Sequence, residues 1–268
     1  MKKYLSSDLA GHFCRARQMA GSLTKRQMPE VLSRLCLVFM LLSVFCPSSV
    51  ALAAPPERIE ASYDLFTRGM KIAIITEKFT RTANHYRIES YTRPVGILAL
   101  FKPDTLNVVS EGDITAQGLR PQNFTYKRSM EVIKNTEAKF DWRLATLTLI
   151  DSDGQRIEPL PADAQDRLSM LYQFLYVPSL HERKELTMRI TNGSKIDTRQ
   201  YLILSRKKLT VPLGSLETLY LSTAPEGTAW KTEIWLSIDN GNFPCKIELT
   251  EENGDKFEQV LTALSITL

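Results

Sequence analysis

The chain has 268 residues, of which 34 are Lys or Arg and 30 are Asp or Glu, for a formal net charge of +4. Seven basic residues but only two acidic ones fall within residues 1–53, so the remainder carries 27 basic and 28 acidic residues. The basic balance therefore belongs to the N-terminal segment, and the rest offers no basic face of the kind that neutralises nucleic-acid phosphates.

In chain order, residues 1–33 are polar and basic. An apolar run from Leu35 to Phe45 follows, and then small residues lead to Ala51-Leu52-Ala53-Ala54. A basic region, an apolar core and an A-x-A site make a secretory signal peptide with cleavage at Ala53/Ala54. The core is too short to span a bilayer comfortably, so a retained inner-membrane anchor is the lesser alternative. Met28 would begin a leader of ordinary length, which makes it an alternative start to Met1. Cys46 follows the bulky Phe45, which argues against lipidation. Residues 1–53 are thus assigned to an N-terminal extension and signal peptide, and residues 54–268 to a single β-rich periplasmic domain. Cys14, Cys36 and Cys46 leave with the leader. Cys245 remains alone, and 215 residues can bury a core without a disulfide.

From Ile59 onward the pattern is strand and turn. Ile59–Thr67 and Met70–Phe79 flank the turn Arg68-Gly69. Asn84–Thr92 alternates, and Leu106–Ala116 is interrupted at Glu111-Gly112-Asp113, where a bulge is expected. Phe124–Arg128, Ala138–Trp142 and Leu147–Ile150 follow. The last of these ends at the turn Asp151-Ser152-Asp153-Gly154. Gly118-Leu119-Arg120-Pro121 reads as a loop fixed by Gly and Pro.

Residues 161–180 carry the strongest helix signal. Asp163 is the expected N-cap, and Asp166 suits the positive end of the helix dipole. Pro178 would stop the helix after about fourteen residues. Leu168, Leu171, Tyr172, Leu175 and Tyr176 fall on one face at helical spacing, and Met170, Phe174 and Val177 on another. A helix apolar around most of its girth needs cover on most sides. These five residues are either plain core or the lining of an apolar ligand cavity.

Beyond the helix come Glu185–Thr191, the turn Asn192-Gly193 and Lys195–Arg206. Leu216–Thr223, Trp230–Ile238, Phe243–Thr250 and Lys256–Thr267 complete the series. Turns this frequent imply a consecutive antiparallel meander. The expected fold is mainly β: a curved antiparallel sheet, a half-open barrel, wrapped around one central α-helix and preceded by a signal-peptide helix. Arg206-Lys207-Lys208 is the densest basic run, expected at a strand end as a charged edge that discourages aggregation, with anionic lipid as its alternative contact.

No catalytic motif stands out. His85 and His181 have no metal-ligand spacing. Asp151/Asp153 and Glu251/Glu252 lie in or beside turns. D-S-D-G begins like a calcium loop, but position 12 is Ala162 rather than Glu. No metal, cofactor or catalytic residue is assigned.

The segments GMKIAIITEKF, SEGDITAQGLRPQNFTYKR, DAQDRLSMLYQF, LTVPLGSLETLY and IWLSIDNGNFPCKIELTEENGDKFEQVLTAL are similar, in that order, to those of an uncharacterised family of secreted proteobacterial proteins, domain-of-unknown-function family 3108. The resemblance runs from about Ile59 to the C-terminus and implies location and fold rather than an activity.

Three functions compete. The first is a non-enzymatic periplasmic binding protein for an apolar ligand or lipidated partner in envelope maintenance, with a lipid or lipoprotein as partner. The second is an interaction or scaffold protein with a filled core that meets another envelope protein through a sheet edge or an exposed patch, with Trp142, Tyr126 and Trp230 as candidate contacts. The third is an unrecognised hydrolase. Neither nucleic acid nor metal is an expected partner, and the oligomeric state is left open.

Overall fold

The computed structural model describes residues 56–223 and 231–268. The expected leader, its expected Ala53/Ala54 cleavage site and Trp230 lie outside these residues. Among the described residues, fifteen strands form one sheet. The first eight are β1 (Arg58–Thr67), β2 (Met70–Thr82), β3 (His85–Pro94), β4 (Leu106–Thr115), β5 (Gly118–Arg128), β6 (Thr136–Asp141), β7 (Thr146–Asp151) and β8 (Gly154–Pro159). The rest are β9 (Ala164–Asp166), β10 (Glu185–Thr191), β11 (Ile196–Val211), β12 (Gly214–Ser222), β13 (Lys231–Ser237), β14 (Phe243–Thr250) and β15 (Lys256–Thr267). Among the described residues, two short helices have a full α turn: α1 (Gly96–Phe101), and α2 (Ser169–Gln173), which continues as a 3₁₀ turn through Tyr176.

Every strand pairs with its sequence neighbour except at one place, and β1 pairs with β15 to join the two halves of the chain. The exception is β8 and β9. They are consecutive in sequence yet form the two edges of the sheet, so the sheet does not close into a barrel. Instead β9 runs parallel to β10, through Ala164–Asp166 against Arg189–Thr191. All other pairings are antiparallel, as a hairpin meander requires. The expected bulge in β4 is present as a register shift at Glu111/Gly112. A side chain on Gly112 would collide with the Arg120 carbonyl, 2.2 Å from where its Cβ would stand.

The helix is shorter than expected and starts elsewhere. Residues 164–166 are extended because β10 offers them a ladder, and Asp163 caps nothing: its carboxylate pairs with Arg189 at 2.5 Å. The start is fixed by Asp166, whose Oδ1 accepts from the backbone N–H groups of Leu168 (2.9 Å) and Ser169 (2.7 Å). The helical stretch ends before Pro178. Arg206–Lys208 is also displaced from its expected place, for it lies within β11 rather than at its end. Still, β10 pairs only with residues up to Leu202, so one side of this basic run has no strand against it.

The curled sheet holds α2 and its 3₁₀ turn at its centre. The two apolar faces of this stretch bury against different groups. Leu168 and Tyr172, with Leu171, Leu175 and Tyr176, join a cluster that includes Tyr63, Phe79, Tyr86, Phe124, Leu147 and Phe243. Met170 and Phe174, with Val177, join a second cluster with Met188, Tyr201, Leu221 and Ile234. Tyr172 stacks on Phe79 and meets Phe243 edge-on, each with ring centroids 5.6 Å apart. Phe174 meets Tyr201 edge-on at 6.1 Å. Such pairs contribute ~0.5–1.5 kcal/mol each beyond simple burial.

Two buried carboxyls stand among these aromatic groups. Glu77 accepts from the Tyr172 hydroxyl (3.1 Å) and from Ser90 (3.3 Å), and burial pushes its pKa up to about 7 against the opposing pull of those bonds. Asp166 is pushed up to about 6, also by burial, although Ser110, Leu168 and Ser169 hydrogen-bond to it. Both groups hold protons more readily folded than unfolded. Stability is therefore greatest below pH ~4 to 4.5 with respect to these groups, and falls as pH rises through 6 and 7. The carboxyls held low by partners, such as Asp104 at about 2, titrate below that window. Urea unfolding is expected to give lower stability at pH 8 than at pH 5. Glu77→Gln, which keeps an acceptor for Tyr172, should remove ~2–3 kcal/mol of that difference. An unchanged pH slope in the variant would contradict the assignment.

Candidate functional site

The departure of β9 from β8 leaves a seam, and polar side chains hold it. Gln165 Nε2 donates to the Leu119 carbonyl at 2.7 Å. Gln173 accepts from the Leu119 N–H and donates to the Gln117 carbonyl, both at 2.7 Å. Deeper in, Tyr86 and Ser110 hydroxyls lie 3.1 Å apart, and Ser110 donates to Asp166 at 2.5 Å. Thr136 donates to the Asn192 carbonyl at 2.6 Å. The last strands of the sheet are thus tied to β4, β5 and β6 by side chains where no backbone ladder exists.

Gly118-Leu119-Arg120-Pro121 is the start of β5 rather than a free loop. Gly118 has φ +102°, a conformation that favours glycine, and a Cβ there would stand 2.4 Å from Gln173 Oε1. The Pro121 carbonyl accepts from the Trp142 indole N–H at 2.6 Å, and the Arg120 guanidinium lies 4.7 Å above the Trp142 ring.

Outside these ties the seam opens into a groove of about 630 Å³. Leu160, Ala164, Val177, Leu186 and Met188 supply apolar wall, Trp142 and Arg120 one rim, and Asp163 another. Gln165 and Gln173 line it as well. Gln165 is 6% exposed, and its Oε1 is buried without a hydrogen-bond partner. An acceptor left this way costs about 1–3 kcal/mol. The volume falls within the range of small-molecule sites, and mostly apolar walls with a few placed polar groups suit them.

Of the five helix residues expected to meet a ligand, Leu168 and Tyr172 are buried in the interior, and Leu171, Leu175 and Tyr176 pack half-buried against it. The wall of the seam groove takes Gln173 and Val177 from that stretch instead. Tyr126 is half-buried with Arg167 5.2 Å over its ring. The thiol of Cys245 is buried, donates to the Trp235 carbonyl and is pushed up to about 12 by burial. His85 lies 3.4 Å from Asp113 and His181 3.7 Å from Glu182, with each imidazole about half exposed. Asp151 is paired with Arg156 at 3.0 Å, as a turn carboxylate. Among the described residues, no group of three His, Cys, Asp or Glu side chains is placed to hold a metal ion.

Gln165, Gln173 and Leu119 escaped sequence reading because their work is done across the seam. The glycine of Gly118-Leu119 was the one visible signal, for it marks the close approach of Gln173.

The model of a family described as "Protein of unknown function (DUF3108)" matches residues 60–262. No curated protein sequence matches. Among solved structures, a beta-barrel-like protein of domain of unknown function DUF1849 from Brucella abortus has the same fold: TM-score 0.51 and 10% identity over 78% of this chain and 97% of that one. A protein from Parabacteroides distasonis described as a "putative lipoprotein" aligns with TM-score 0.34 and 9% identity over 79% of this chain and 96% of that one.

The tie between Gly118 and Gln173 is testable. Gly118→Ala should destabilise the protein by ~1–3 kcal/mol through its positive φ and the collision with Gln173. Gln173→Ala in that background should recover part of the loss, which equilibrium unfolding of the single and double variants would resolve. Additive losses would show that the two residues act separately.

Proposed function

The chain belongs to the DUF3108 family of proteins of unknown function, and from that premise we propose that it is a periplasmic binding protein without catalytic activity. It takes an apolar segment of a lipidated partner into the seam groove and so serves envelope maintenance. The observation that carries this reading is the groove itself: about 630 Å³, walled by Leu160, Val177, Leu186 and Met188, and bordered by Gln165 and Gln173.

The packing of Tyr172 and Phe174 supports binding at the surface in preference to the interior. Tyr63, Phe79, Tyr86, Tyr172, Phe174 and Phe243 are each less than 2% exposed, so the protein's own helix occupies the volume that a lipid carrier of this shape would leave for its cargo. A filled core also suits the scaffold reading, in which the partner is an envelope protein and the groove receives its lipidated end. Secretion rests on the leader of residues 1–53. The absence of chemistry rests on the dispersed positions of His85, His181 and the buried Cys245.

Trp142 reports on the groove. Titration with a synthetic peptide bearing the diacylglyceryl-cysteine end of a lipoprotein should change tryptophan emission saturably, and Trp142→Phe should abolish that change. Leu186→Arg, at a partly buried wall position that also packs against the second cluster, should weaken binding about tenfold, equivalent to ~1.4 kcal/mol, with circular dichroism used to check that the variant stays folded. Native mass spectrometry should give one peptide per chain. The absence of both adduct and emission change would contradict the proposal, as would binding unaffected by Leu186→Arg.

A further inference from the structure

In an antiparallel meander, successive links alternate between the two ends of the sheet. The seam groove takes residues from the β4–β5 and β6–β7 links, at one end. The β3–β4 and β5–β6 links lie at the other. Here the apolar residues face outward. Helix α1 has no buried residue, and Ile97 (72%), Leu100 (81%) and Phe101 (81%) stand almost wholly in water. In the β5–β6 link Met130, Val132 and Ile133 are 61%, 63% and 72% exposed. Monomeric proteins rarely gather six large apolar side chains in this way without a use for them.

The two links form one platform. Asp104, whose side chain is 2% exposed, receives hydrogen bonds from Arg128 (2.7 Å), Ser129 (3.2 Å) and the Met130 N–H (2.8 Å). Lys102, just past α1, bridges to Glu131 at 3.0 Å, and Glu131 also meets Arg128 and Lys134. The β3–β4 link is therefore bound to the β5–β6 link by ion pairs beneath the apolar tips.

The charges of this platform are sorted by depth. Asp104 is sealed inside, and Glu131, 27% exposed at its side chain, is shared by three cations. The outermost charges are Lys102 and Lys134, with side chains 52% and 57% exposed, and Arg93 at the end of β3 is also exposed. The end thus presents protruding apolar side chains with Lys102, Lys134 and Arg93 around them, while Asp151, paired with Arg156, and Asp153 of the β7–β8 link adjoin Ile133 and Lys134. Side chains that protrude this far suit a fluid interface in which each tip finds its own depth. Apolar tips among lysines are the pattern by which a surface segment enters the headgroup region of an anionic bilayer.

We propose that α1 and the β5–β6 link dock this protein on an anionic phospholipid bilayer. Ile97, Leu100, Phe101 and Ile133 enter the interface, while Lys102 and Lys134 lie against the phosphates. The seam groove at the opposite end then faces away from that membrane. The inference does not depend on what the groove binds.

The test is co-sedimentation of the protein, purified after secretion, with vesicles of phosphatidylethanolamine containing about 30% phosphatidylglycerol, set against neutral phosphatidylcholine vesicles. Binding is expected on the anionic vesicles, weaker as salt is raised. Leu100→Asp with Phe101→Asp should reduce it at least tenfold, and Lys102→Glu with Lys134→Glu should reduce it severalfold and flatten the salt dependence. Leu100 and Phe101 are exposed, so the melting temperature should hold in the first variant; the second also loses the Lys102–Glu131 and Lys134–Glu131 pairs, so its fold is checked by circular dichroism before its binding is read. The proposal is overturned if the wild type stays in the supernatant, or if both double variants sediment as it does. It is also overturned if the patch variants instead dissolve a dimer seen by sedimentation equilibrium without vesicles, which would assign the patch to a second copy of the chain.

Discussion

The structure depends on a strand that leaves its place. If β9 paired with β8, fifteen strands would close into a wide barrel with a large interior to fill. Residues 164–166 instead turn inward, pair with β10 in the sheet's one parallel contact, and bring Gln165 and Asp166 against β5 and β4. The sheet is thereby narrowed around the helix that follows at once, and the helix begins where Asp166 receives its first N–H groups. One short segment sets the diameter of the fold, the start of its helix and the position of its groove.

This arrangement places charge where burial is costly. Asp166 and Glu77 each sit in the interior with raised pKa values, and each is hydrogen-bonded by side chains from distant parts of the chain: Ser110 for one, Tyr172 and Ser90 for the other. A buried acid satisfied in this way specifies register, because a one-residue slip would strand it. Gln165 is the incomplete member of the set, with Nε2 bound and Oε1 free, and it is the one that borders the groove.

Much of this could be read from the residues, and what could not be read has physical causes. The two helix faces led by Leu168 and by Met170 were legible from spacing alone and bury against separate clusters. Glu185–Thr191, Phe243–Thr250 and Lys256–Thr267 have the expected bounds, since each alternates between well-marked turns. The start of the helix was misplaced because Asp163 and Asp166 carry the same local signal, and only the ladder offered by β10 decides between them. The strand Gly154–Pro159 was missed because an edge strand exposed on both faces has no alternation to detect. Gly96–Phe101 was missed because its apolar residues belong to no buried face. The groove was invisible in the sequence, since Gln165, Trp142 and Leu186 meet only when the sheet curls.

The account turns on where a ligand would meet this protein: at the seam, with the interior closed by residues 169–176. Hydrogen–deuterium exchange with and without the lipidated peptide tests that most directly. Protection is predicted at residues 117–120, 142–145 and 160–165, with β2, β3 and β14 unchanged. Protection concentrated instead on the strands around Tyr172, with the seam unaffected, would contradict it.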